Sequence, residues 1–360
     1  MLKAAIVSLK FNPAHLSLMK GYYFLIRAIG ADPELVLSNK YSIFNESMKG
    51  LKFVYLEDKF KENINKLFYD VFLLCNPSIY NIKYLSYSKK INSKSIYLYH
   101  EPFDSFNNYL KEGIRQMIKG IVANIVSKLT LSKVDLVIVP SKYAYELYKK
   151  KEIKINKNVI IIPLIFDDEK IGLLDINKKI YFSFIGNAIK AHGFDRFLEF
   201  IKYIYNIRYD IKCQITTRND LTKIIKKQKI IDEMVKSGYL KIKHGRPLSN
   251  EEINNAYDES FCVWNVYRRS TQSGVLPKAF MFGAPVISSY IGSFSEFVTN
   301  GYNGYFLHKY NESEVLFLIS KILSNLNELS ENARKSFFKY FYWENYINEV
   351  RRSFEILTGK

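Results

Sequence analysis

The sequence predicts an α/β protein made of two doubly wound domains, each with a parallel sheet covered by helices. The chain has 360 residues, more than one hydrophobic core usually holds. Short apolar segments without alternating polar residues recur between amphipathic stretches, which is typical of parallel strands buried on both faces. A single charged stretch interrupts this pattern and divides it into two rounds, each of which is a series of alternating strands and helices. Proteins of this class bind ligands at the carboxyl ends of their strands.

The first round predicts an N-terminal domain over residues 1–168. It opens with a short apolar strand, and the loop that follows leads into a helix that ends near Ile29. The other elements of this round are apolar runs and amphipathic helices. Strands are predicted at residues 4–8, 35–37, 70–75, 95–99, 136–139 and 159–162, and further helices at 109–129 and 143–150.

Residues 169–178 are polar and charged and form the predicted linker. The second domain covers residues 179–340, and a last helix over residues 341–360 could return to the first domain. Within the second domain, strands and helices alternate again, which predicts a second parallel sheet. Its strands are predicted at residues 180–185, 212–216, 240–243, 261–266 and 286–288, and its helices at 194–204, 221–236, 251–257 and 312–326.

The chain is strongly basic, with 53 Lys and Arg against 35 Asp and Glu and a net charge of +18. Such an excess indicates an anionic partner, such as phosphates, nucleic acid or an acidic membrane surface. Lys, Ile, Asn and Tyr are enriched together along the whole chain, so a low-GC coding bias explains the excess equally well. No aromatic RNA-binding strand or recognition-helix pattern accompanies the charge, and nucleic acid is therefore not an expected partner.

The cysteines Cys75, Cys213 and Cys262 are far apart and form no CxxC pair. Cys75 and Cys262 lie in apolar surroundings, which indicates buried thiols in a reducing compartment. The longest apolar run, residues 159–166, is far shorter than the roughly 20 residues of a membrane-spanning helix. We therefore expect a cytoplasmic protein, and a peripheral position at the inner face of the plasma membrane stays open.

Several common cofactor and metal motifs are missing from the sequence. No GxGxxG follows the first strand, no GxxxxGK[ST] occurs, and neither HExxH nor a Cys/His cluster with zinc spacing is present. An Asp-x-Asp pair, which often holds a divalent metal on a nucleotide, is also missing. We expect no cofactor and no metal, and a phosphate site of backbone amides and basic side chains fits better.

The most informative local feature is a polar loop that runs into a short apolar segment. The loop contains Thr271, Gln272, Ser273, Gly274 and Val275, and the apolar segment stops at a glycine before a Pro-Val-Ile strand start. In this order the loop amides and the N-terminus of the following helix face one point. Such an arrangement favours binding of an anion such as a diphosphate.

The C-terminal half resembles the GT-B glycosyltransferases, specifically glycosyltransferase family 4. The match covers residues 180–307 and consists of short motifs that are specific in combination. They are Gly186-Asn187, Lys190-Ala191-His192-Gly193-Phe194, Gly245-Arg246, Thr271-Gln272-Ser273-Gly274-Val275, Gly283-x-Pro285-Val286-Ile287, Glu296 and Asn300-Gly301-x-Asn303-Gly304. The resemblance implies that the second domain binds a nucleotide-sugar and the first domain binds the acceptor. Retention of anomeric configuration is the expectation for most of the family.

The resemblance also implies a set of donor-binding residues. The loop over residues 271–275 is expected to hold the phosphates and the sugar with its backbone amides. Where family members carry basic residues near the diphosphate, this chain has Asn187 and His192. Lys190 or Arg246 could supply the missing charge. The predicted donor set is Gly186, Asn187, Lys190, His192, Gly193, Arg246, Tyr267, Arg268, Thr271, Gln272, Ser273, Gly274 and Val275.

Two members of this set have ordinary alternatives. Tyr267 could line the donor pocket or pack beneath the loop. Arg268, with Arg269 as an equal candidate, could meet the diphosphate or belong to a solvated pair.

The sequence departs from the family at two glutamates, spaced eight residues apart, that contact the donor sugar and the ribose. Their positions here hold Ser270 (or Thr271, in a second register) and Lys278, none of which is a carboxylate. The departure bears on the identity of the donor more than on the fold. It also keeps open a non-catalytic protein of the same fold, either a sugar-nucleotide binder or a partner subunit.

The first domain offers candidates for the chemistry at the acceptor. His100 and Glu101 directly follow the predicted strand over residues 95–99, where sites of open α/β sheets form. His100 could orient the acceptor hydroxyl and Glu101 could accept its proton, since family members often have a histidine near this place. The alternative for His100 is a hydrogen-bonded loop residue. For His15, which follows the first strand, acceptor contact and a helix-start role are equally open.

The predicted helix over residues 109–129 is amphipathic. Apolar residues recur at helical spacing on one side, and Lys111, Arg115, Lys119 and Lys128 lie on the other. We prefer a helix that covers the first domain. The alternative is a membrane-surface helix that brings the enzyme to a lipid-linked acceptor.

The sequence therefore predicts a glycosyltransferase that moves a sugar from a UDP- or GDP-linked donor to a hydroxyl of a glycan or lipid-linked acceptor. Bacterial-type surface polysaccharide synthesis is the expected setting. The expected partners are the nucleotide-sugar, the acceptor and, in the membrane alternative, an anionic membrane surface.

Overall fold

The computed structural model describes residues 1–12, 15–56, 68–100, 106, 110, 113–152 and 158–359. Within them the chain forms two compact units, Met1–Asp167 together with Phe341–Lys360, and Asp168–Tyr340. Each unit contains a parallel β-sheet with helices in its crossover connections. The predicted class of two doubly wound α/β domains is confirmed.

The first unit has a seven-stranded sheet. Its strands are β1 (Lys3–Ser8), β2 (Asp32–Ser38), β3 (Phe53–Leu56), β4 (Val71–Leu74), β5 (Lys94–Leu98), β6 (Leu136–Val139) and β7 (Asn158–Ile161). The helices described among them are α1 (Leu16–Ala28), α2 (Ile79–Lys90), α3 (Ile114–Leu131) and α4 (Lys142–Glu152). The strand order is β3-β2-β1-β4-β5-β6-β7, and all neighbours are parallel.

The second unit has a six-stranded parallel sheet in the order β10-β9-β8-β11-β12-β13. Its strands are β8 (Tyr181–Ile185), β9 (Lys212–Thr216), β10 (Leu240–Lys243), β11 (Ser260–Asn265), β12 (Val286–Ser289) and β13 (Gly304–Leu307). Its helices are α5 (Phe194–Asn206), α6 (Thr222–Lys227), α7 (Lys229–Lys236), α8 (Asn250–Asp258), α9 (Val275–Met281), α10 (Phe294–Phe297), α11 (Glu312–Ser324) and α12 (Leu326–Tyr340).

Burial explains the central strands of both sheets. All four residues of β4 and all six of β11 are buried, as expected for strands covered by helices on both faces. The core of the second unit is rich in aromatic rings: the ring centroid of Phe182 lies 5.4 Å from that of Phe197 and 6.1 Å from that of Trp264. Such rings bury large apolar areas, which stabilises the sheet that carries the loops described below.

Most predicted elements are present, and the differences have local causes. The pattern misses the edge strands β3 and β13, because each is four residues long and only partly buried. The helix predicted over residues 221–236 is two helices, since Gln228 between them has extended backbone angles (φ −121°, ψ 93°). Within the range predicted as a helix over residues 109–129, α3 begins at Ile114, directly after Gly113, whose φ is +109°.

The C-terminal segment lies in the first unit. The Phe166 N–H donates to the Phe341 carbonyl (2.8 Å), and the indole N–H of Trp343 donates to Asp167 (3.1 Å). A 3₁₀ turn over Trp343–Tyr346 then leads into α13 (Ile347–Thr358), so this helix begins later than the predicted residue 341. No helix in the part of the chain that the structure describes is long and apolar enough to span a membrane.

The residues that follow Asp167 are fixed to the second unit by charged contacts. Asp168 forms a two-pronged ion pair with Arg334, at 2.8 and 2.5 Å. The buried amine of Lys179 donates to the carbonyls of Phe282 (2.7 Å) and Ser260 (3.3 Å). Burial lowers the pKa of Lys179 to about 8. The residues directly before and directly after the predicted linker, Asp168 and Lys179, are therefore both anchored in the second unit.

Candidate functional site

The strand order reverses between β8 and β11 in the second sheet. These strands are adjacent, although β9 and β10 lie between them in the chain. The connections from β8 and β11 leave in opposite directions, and this opens a crevice at the carboxyl ends of the two strands, where ligands of such sheets bind. Most of the predicted donor residues lie on the loops that follow β8 and β11.

The loop after β8 carries two glycines with different roles. Gly186 has φ +125°, and a Cβ there would lie 3.2 Å from a methyl group of Val275, so this loop touches the loop after β11. Gly193 has φ +69°, and a Cβ there would lie 2.1 Å from the carbonyl oxygen of Val266. Gly193 is therefore required by the protein's own packing. Asn187 is exposed on the same loop, and its carbonyl accepts the N–H of Ile189 (2.9 Å).

Tyr267 and His192 join the two loops through their rings. The ring centroids lie 4.2 Å apart with an angle of 6° between the planes. Tyr267 is buried, its hydroxyl accepts from Ser273 Oγ (3.1 Å), and burial raises its pKa to about 12. The ring also meets Phe294 edge-on at 5.4 Å. Tyr267 therefore packs beneath the loop, the second of the two roles predicted for it.

The loop over residues 271–275 is shaped by side chains but leaves main-chain donors open. Val275 N–H donates to Ser273 Oγ (3.2 Å), and the Gln272 side-chain oxygen accepts from Ser293 Oγ (2.7 Å). Thr271 is buried beside them. Within the described residues, the backbone N–H groups of Gln272, Ser273 and Gly274 have no protein acceptor.

Gly274 differs from the glycines of the β8 loop. It is exposed, its φ of −70° suits any residue, and a Cβ there would meet nothing within 4 Å. Nothing in the protein's own backbone therefore requires glycine at this position. The open amides and the open space together form a surface that an anion could approach closely.

Two of the predicted arginines, Arg246 and Arg268, already have carboxylate partners. Arg268 forms a two-pronged ion pair with Asp195 (2.6 and 2.7 Å), and it also donates to the Lys190 carbonyl (2.6 Å), so it ties the β11 loop to the β8 loop. Arg246 follows the edge strand β10, away from β8 and β11, and pairs with Glu252 (2.9 and 2.5 Å). This pairing lowers the pKa of Glu252 to about 2.

Lys190 is the third predicted cation, and it differs from the two arginines. Its side chain is exposed, and within the described residues it forms no ion pair. It lies on the β8 loop beside Ala191, whose carbonyl accepts the Arg268 N–H (2.8 Å). Among the described residues, Lys190 is thus the one cation predicted for a diphosphate that both lies at the switch point and has no ion-pair partner.

Lys278 takes part in a buried polar network that the sequence does not reveal. Its amine lies 2.6 Å from Glu169 and donates to the Asn254 side-chain oxygen (3.0 Å). Glu169 also accepts from the side-chain amides of Asn250 (2.6 Å) and Asn254 (2.9 Å). Both charged groups are about one tenth exposed. At one of the two family glutamate positions, this chain thus has a structural cation.

The first sheet has a switch point of its own, between β1 and β4. His15 follows β1 and His100 follows β5, and their ring centroids lie 4.9 Å apart. Asn76, which follows β4, donates to Ser8 Oγ at the end of β1 (2.7 Å). The structure therefore brings the two predicted histidines together, and Asn76 and Ser8 are polar neighbours that the sequence analysis missed. Polar residues directly after buried strands were the available signal.

Both histidines are neutral near pH 7. Burial lowers the pKa of His100 to about 4, and burial together with the nearby His100 lowers the pKa of His15 to about 3. His100 Nε2 lies 2.8 Å from the Cys75 carbonyl oxygen, which can only accept, so Nε2 carries the proton and Nδ1 is an acceptor. His15 Nδ1 is buried without a partner among the described residues. Glu101 lies outside the described residues.

A metal site does not emerge from these residues. Within the described ranges, no group of three or more His, Cys, Asp and Glu side chains could hold a metal ion. The three cysteines are buried and free, and burial raises the pKa of each.

Comparison with known proteins gives matches in sequence and in structure. No family model matches the chain. Alpha-monoglucosyldiacylglycerol synthase of Acholeplasma laidlawii is 23% identical over 344 residues, which cover 86% of this chain and 82% of that protein. An uncharacterised glycosyltransferase of Methanocaldococcus jannaschii is 28% identical over 196 residues, covering 51% of this chain and 52% of that protein. The crystal structure of Anabaena HepE with UDP-glucose is similar with a TM-score of 0.72 at 13% identity, covering 99% of this chain and all of that one.

The fold and the sequence matches agree on one class. The two parallel sheets, of seven and six strands, follow the architecture of the matched structure over nearly the whole chain. The loops after β8 and β11 carry three of the motifs on which the family resemblance rests. The chain is a glycosyltransferase of the GT-B fold.

Proposed function

We propose that this glycosyltransferase takes its sugar from a UDP- or GDP-linked donor held by the second unit. The acceptor, a hydroxyl of a glycan or lipid-linked molecule, is held by the first unit. One observation carries the donor assignment: the open amides of Gln272, Ser273 and Gly274 lie at a switch point where Gly274 has empty space beside it. HepE was crystallised with UDP-glucose, which supports a uridine nucleotide.

The leaving diphosphate is stabilised by hydrogen bonds and one cation, without a metal. The amides of Ser273 and Gly274 donate to phosphate oxygens, and Lys190 contributes its positive charge. Donors that are fixed before the reaction stabilise developing negative charge efficiently, because they need no reorganisation. In the transfer, the bond from the anomeric carbon to the diphosphate oxygen breaks and a bond to the acceptor oxygen forms. We expect retention of configuration.

The acceptor hydroxyl is oriented by His100. Its neutral ring presents Nδ1 as an acceptor, while Nε2–H is fixed on the Cys75 carbonyl. His15, at 4.9 Å between ring centroids, is a second contact for the acceptor. Glu101 is the proposed acceptor of the hydroxyl proton, on the strength of its position after β5.

Of the two proposed acceptor classes, a glycan and a lipid-linked molecule, we favour the lipid-linked molecule. The Acholeplasma relative is named as a synthase of a glucosyldiacylglycerol, which is a sugar lipid. Synthesis of a bacterial-type surface polysaccharide on a lipid carrier is the proposed setting, at the inner face of the plasma membrane in a cytoplasmic protein.

A second candidate is a non-catalytic sugar-nucleotide binder of the same fold. Lys278 at one of the family glutamate positions favours it, since this amine is committed to Glu169 and offers the donor no carboxylate. Transfer or hydrolysis of a radiolabelled UDP- or GDP-sugar separates the two candidates, because only the enzyme consumes the donor.

The donor assignment is tested by thermal unfolding with a panel of nucleoside diphosphates and their sugars. We expect UDP or GDP to raise the Tm by several degrees, since a ligand that binds only the folded state stabilises it. The variant Gly274→Val should keep the Tm of the free protein and lose the shift, because its side chain fills the space next to the open amides.

Lys226→Val is the matched control, since it introduces the same side chain at an exposed helical position of α6. It should retain the full shift. A nucleotide shift that survives Gly274→Val would contradict the assignment of this loop, and no shift with any nucleotide would contradict the donor site as a whole.

A further inference from the structure

Helix α3 presents a continuous apolar stripe to solvent. Ile114, Ile118, Val122, Ile125 and Leu129 recur every three or four residues, and each is between 46% and 65% exposed. At 3.6 residues per turn they fall within an arc of about 80°, along a helix about 27 Å long. A contiguous apolar surface of this kind marks a contact site, because leaving it in water is unfavourable.

The inward side of α3 carries small and polar residues beside Leu131, which is fully buried. Gly120, Ser127 and Thr130 are buried, and the Ser127 hydroxyl lies 3.1 Å from that of Tyr97 on β5. The five side chains of the stripe therefore point away from the core, while α3 itself lies against the sheet through Ser127 and Leu131. The helix thus contacts the sheet as predicted, but its apolar stripe does not take part in that contact.

The charges beside the stripe have one sign. Lys119 and Lys128 are exposed on α3, one on each side of the apolar arc. Residues 113–134 include four basic residues and no acidic one, in a chain with a net charge of +18. An apolar face bordered by lysines is complementary to a surface that has an anionic outer layer and an apolar layer beneath it.

We propose that α3 docks parallel to the surface of an anionic phospholipid bilayer. Its apolar stripe enters the boundary between headgroups and acyl chains, and Lys119 and Lys128 contact lipid phosphates. A second copy of this chain fits the face less well, because two basic surfaces would then meet. The inference deepens the proposed function, since a docked enzyme meets a lipid-linked acceptor in its own plane, but it is tested without donor or acceptor.

The test is co-sedimentation of the full chain with phosphatidylcholine vesicles that contain or lack phosphatidylglycerol. We expect binding to the anionic vesicles that is at least about tenfold tighter than to the neutral ones. The triple variant Ile118→Ser/Val122→Ser/Ile125→Ser should lose at least about tenfold in affinity for anionic vesicles. The double variant Lys119→Gln/Lys128→Gln should lose several-fold and become less sensitive to salt.

The matched control removes three other exposed apolar side chains, Ile171→Ser/Leu173→Ser/Ile356→Ser, and should bind as the wild type does. Circular dichroism and the nucleotide-induced Tm shift verify that every variant is folded. Wild-type protein that stays in the supernatant, or a triple variant that binds normally, overturns the proposal. So does light scattering that finds a dimer which the triple variant dissociates, since the occupant is then a second copy. A missing nucleotide shift bears only on the donor assignment.

Discussion

The switch points of the two sheets offer a ligand different chemistry. Between β8 and β11 the available groups are main-chain amides and the exposed Lys190, while Arg268 is neutralised by Asp195. Between β1 and β4 they are two half-buried neutral imidazoles, His15 and His100. Amide donors and a cation suit an anion, whereas a neutral imidazole acceptor suits a hydroxyl. Under the proposed function, one topology used twice provides one edge for a phosphate and one for an uncharged nucleophile.

The difference between the two switch points depends first on whether the charge of Lys278 serves to stabilise the fold. We expect Lys278→Met to lower the free energy of unfolding by about 3–5 kcal/mol, because Glu169 is then buried without its cation. Urea denaturation measures this loss. Lys278→Met/Glu169→Gln should recover most of it, and Lys236→Met, in an exposed pair with Asp232, should change little. A loss below about 1 kcal/mol for Lys278→Met would contradict a structural role and would make Lys278 a candidate for donor binding.

The glycines of the second unit should respond in opposite ways. Gly193→Ala is expected to destabilise the protein by about 2–4 kcal/mol, because the new methyl group meets the Val266 carbonyl at 2.1 Å in a left-handed backbone. Gly274→Ala should leave the stability unchanged and weaken nucleotide binding. Thermal unfolding with and without UDP separates the two effects. If Gly193→Ala and Gly274→Ala were equally stable, the requirement for glycine at the two positions would not differ through packing.

His100 tests the assignment of the first unit to the acceptor. His100→Ala should reduce sugar transfer about 100-fold, as is usual for loss of a positioned acid–base residue, and leave the nucleotide-induced Tm shift intact. The measurement is turnover of a radiolabelled UDP-sugar with a lipid acceptor. His308→Ala, at an exposed position after β13, is the control. If turnover is unchanged, His100 is not part of the acceptor site. If the nucleotide-induced Tm shift is lost, His100 contributes to donor binding, and the two units do not have separate roles.

The histidine pair also predicts a pH dependence. Both pKa values lie below the ordinary 6.5, so the unfolded chain binds more protons than the folded chain between pH 6.5 and about 4. Stability should therefore fall as the pH falls through this window, by up to about 1.4 kcal/mol per pH unit for each histidine. Denaturation between pH 7 and 5 measures the slope, and His15→Gln/His100→Gln should flatten it. A slope that persists in the double variant would place its origin outside the pair.

The smallest expected effect concerns the cations near the donor. Lys190→Gln should weaken UDP binding about tenfold, since it removes the unpaired charge at the switch point. Arg246→Gln should have little effect, because Arg246 is engaged with Glu252 after an edge strand. Isothermal titration with UDP compares the two. If Arg246→Gln weakened UDP binding more than Lys190→Gln, the diphosphate would have to bind nearer to β10.

Much of the architecture was predictable because it depends on local patterns. The unbroken apolar runs of β4 and β11 predict buried parallel strands, and the polar loop before α9 predicts a phosphate site. The short edge strands β3 and β13 were missed, since a half-buried strand of four residues has little periodicity. Glu101 remains a prediction, outside the described residues.

The sequence by itself determined the two rounds of strands and helices and the loops that carry polar groups. Only the tertiary structure decided which of these groups are available. The ion pairs of Arg268 and Lys278 could not be predicted from the sequence, because their partners Asp195 and Glu169 lie 73 and 109 residues away. Helical periodicity likewise identifies the apolar side of α3, and cannot tell whether that side meets the sheet or the solvent. Long-range contacts decide both questions, because they depend on how distant segments pack and not on spacing along the chain.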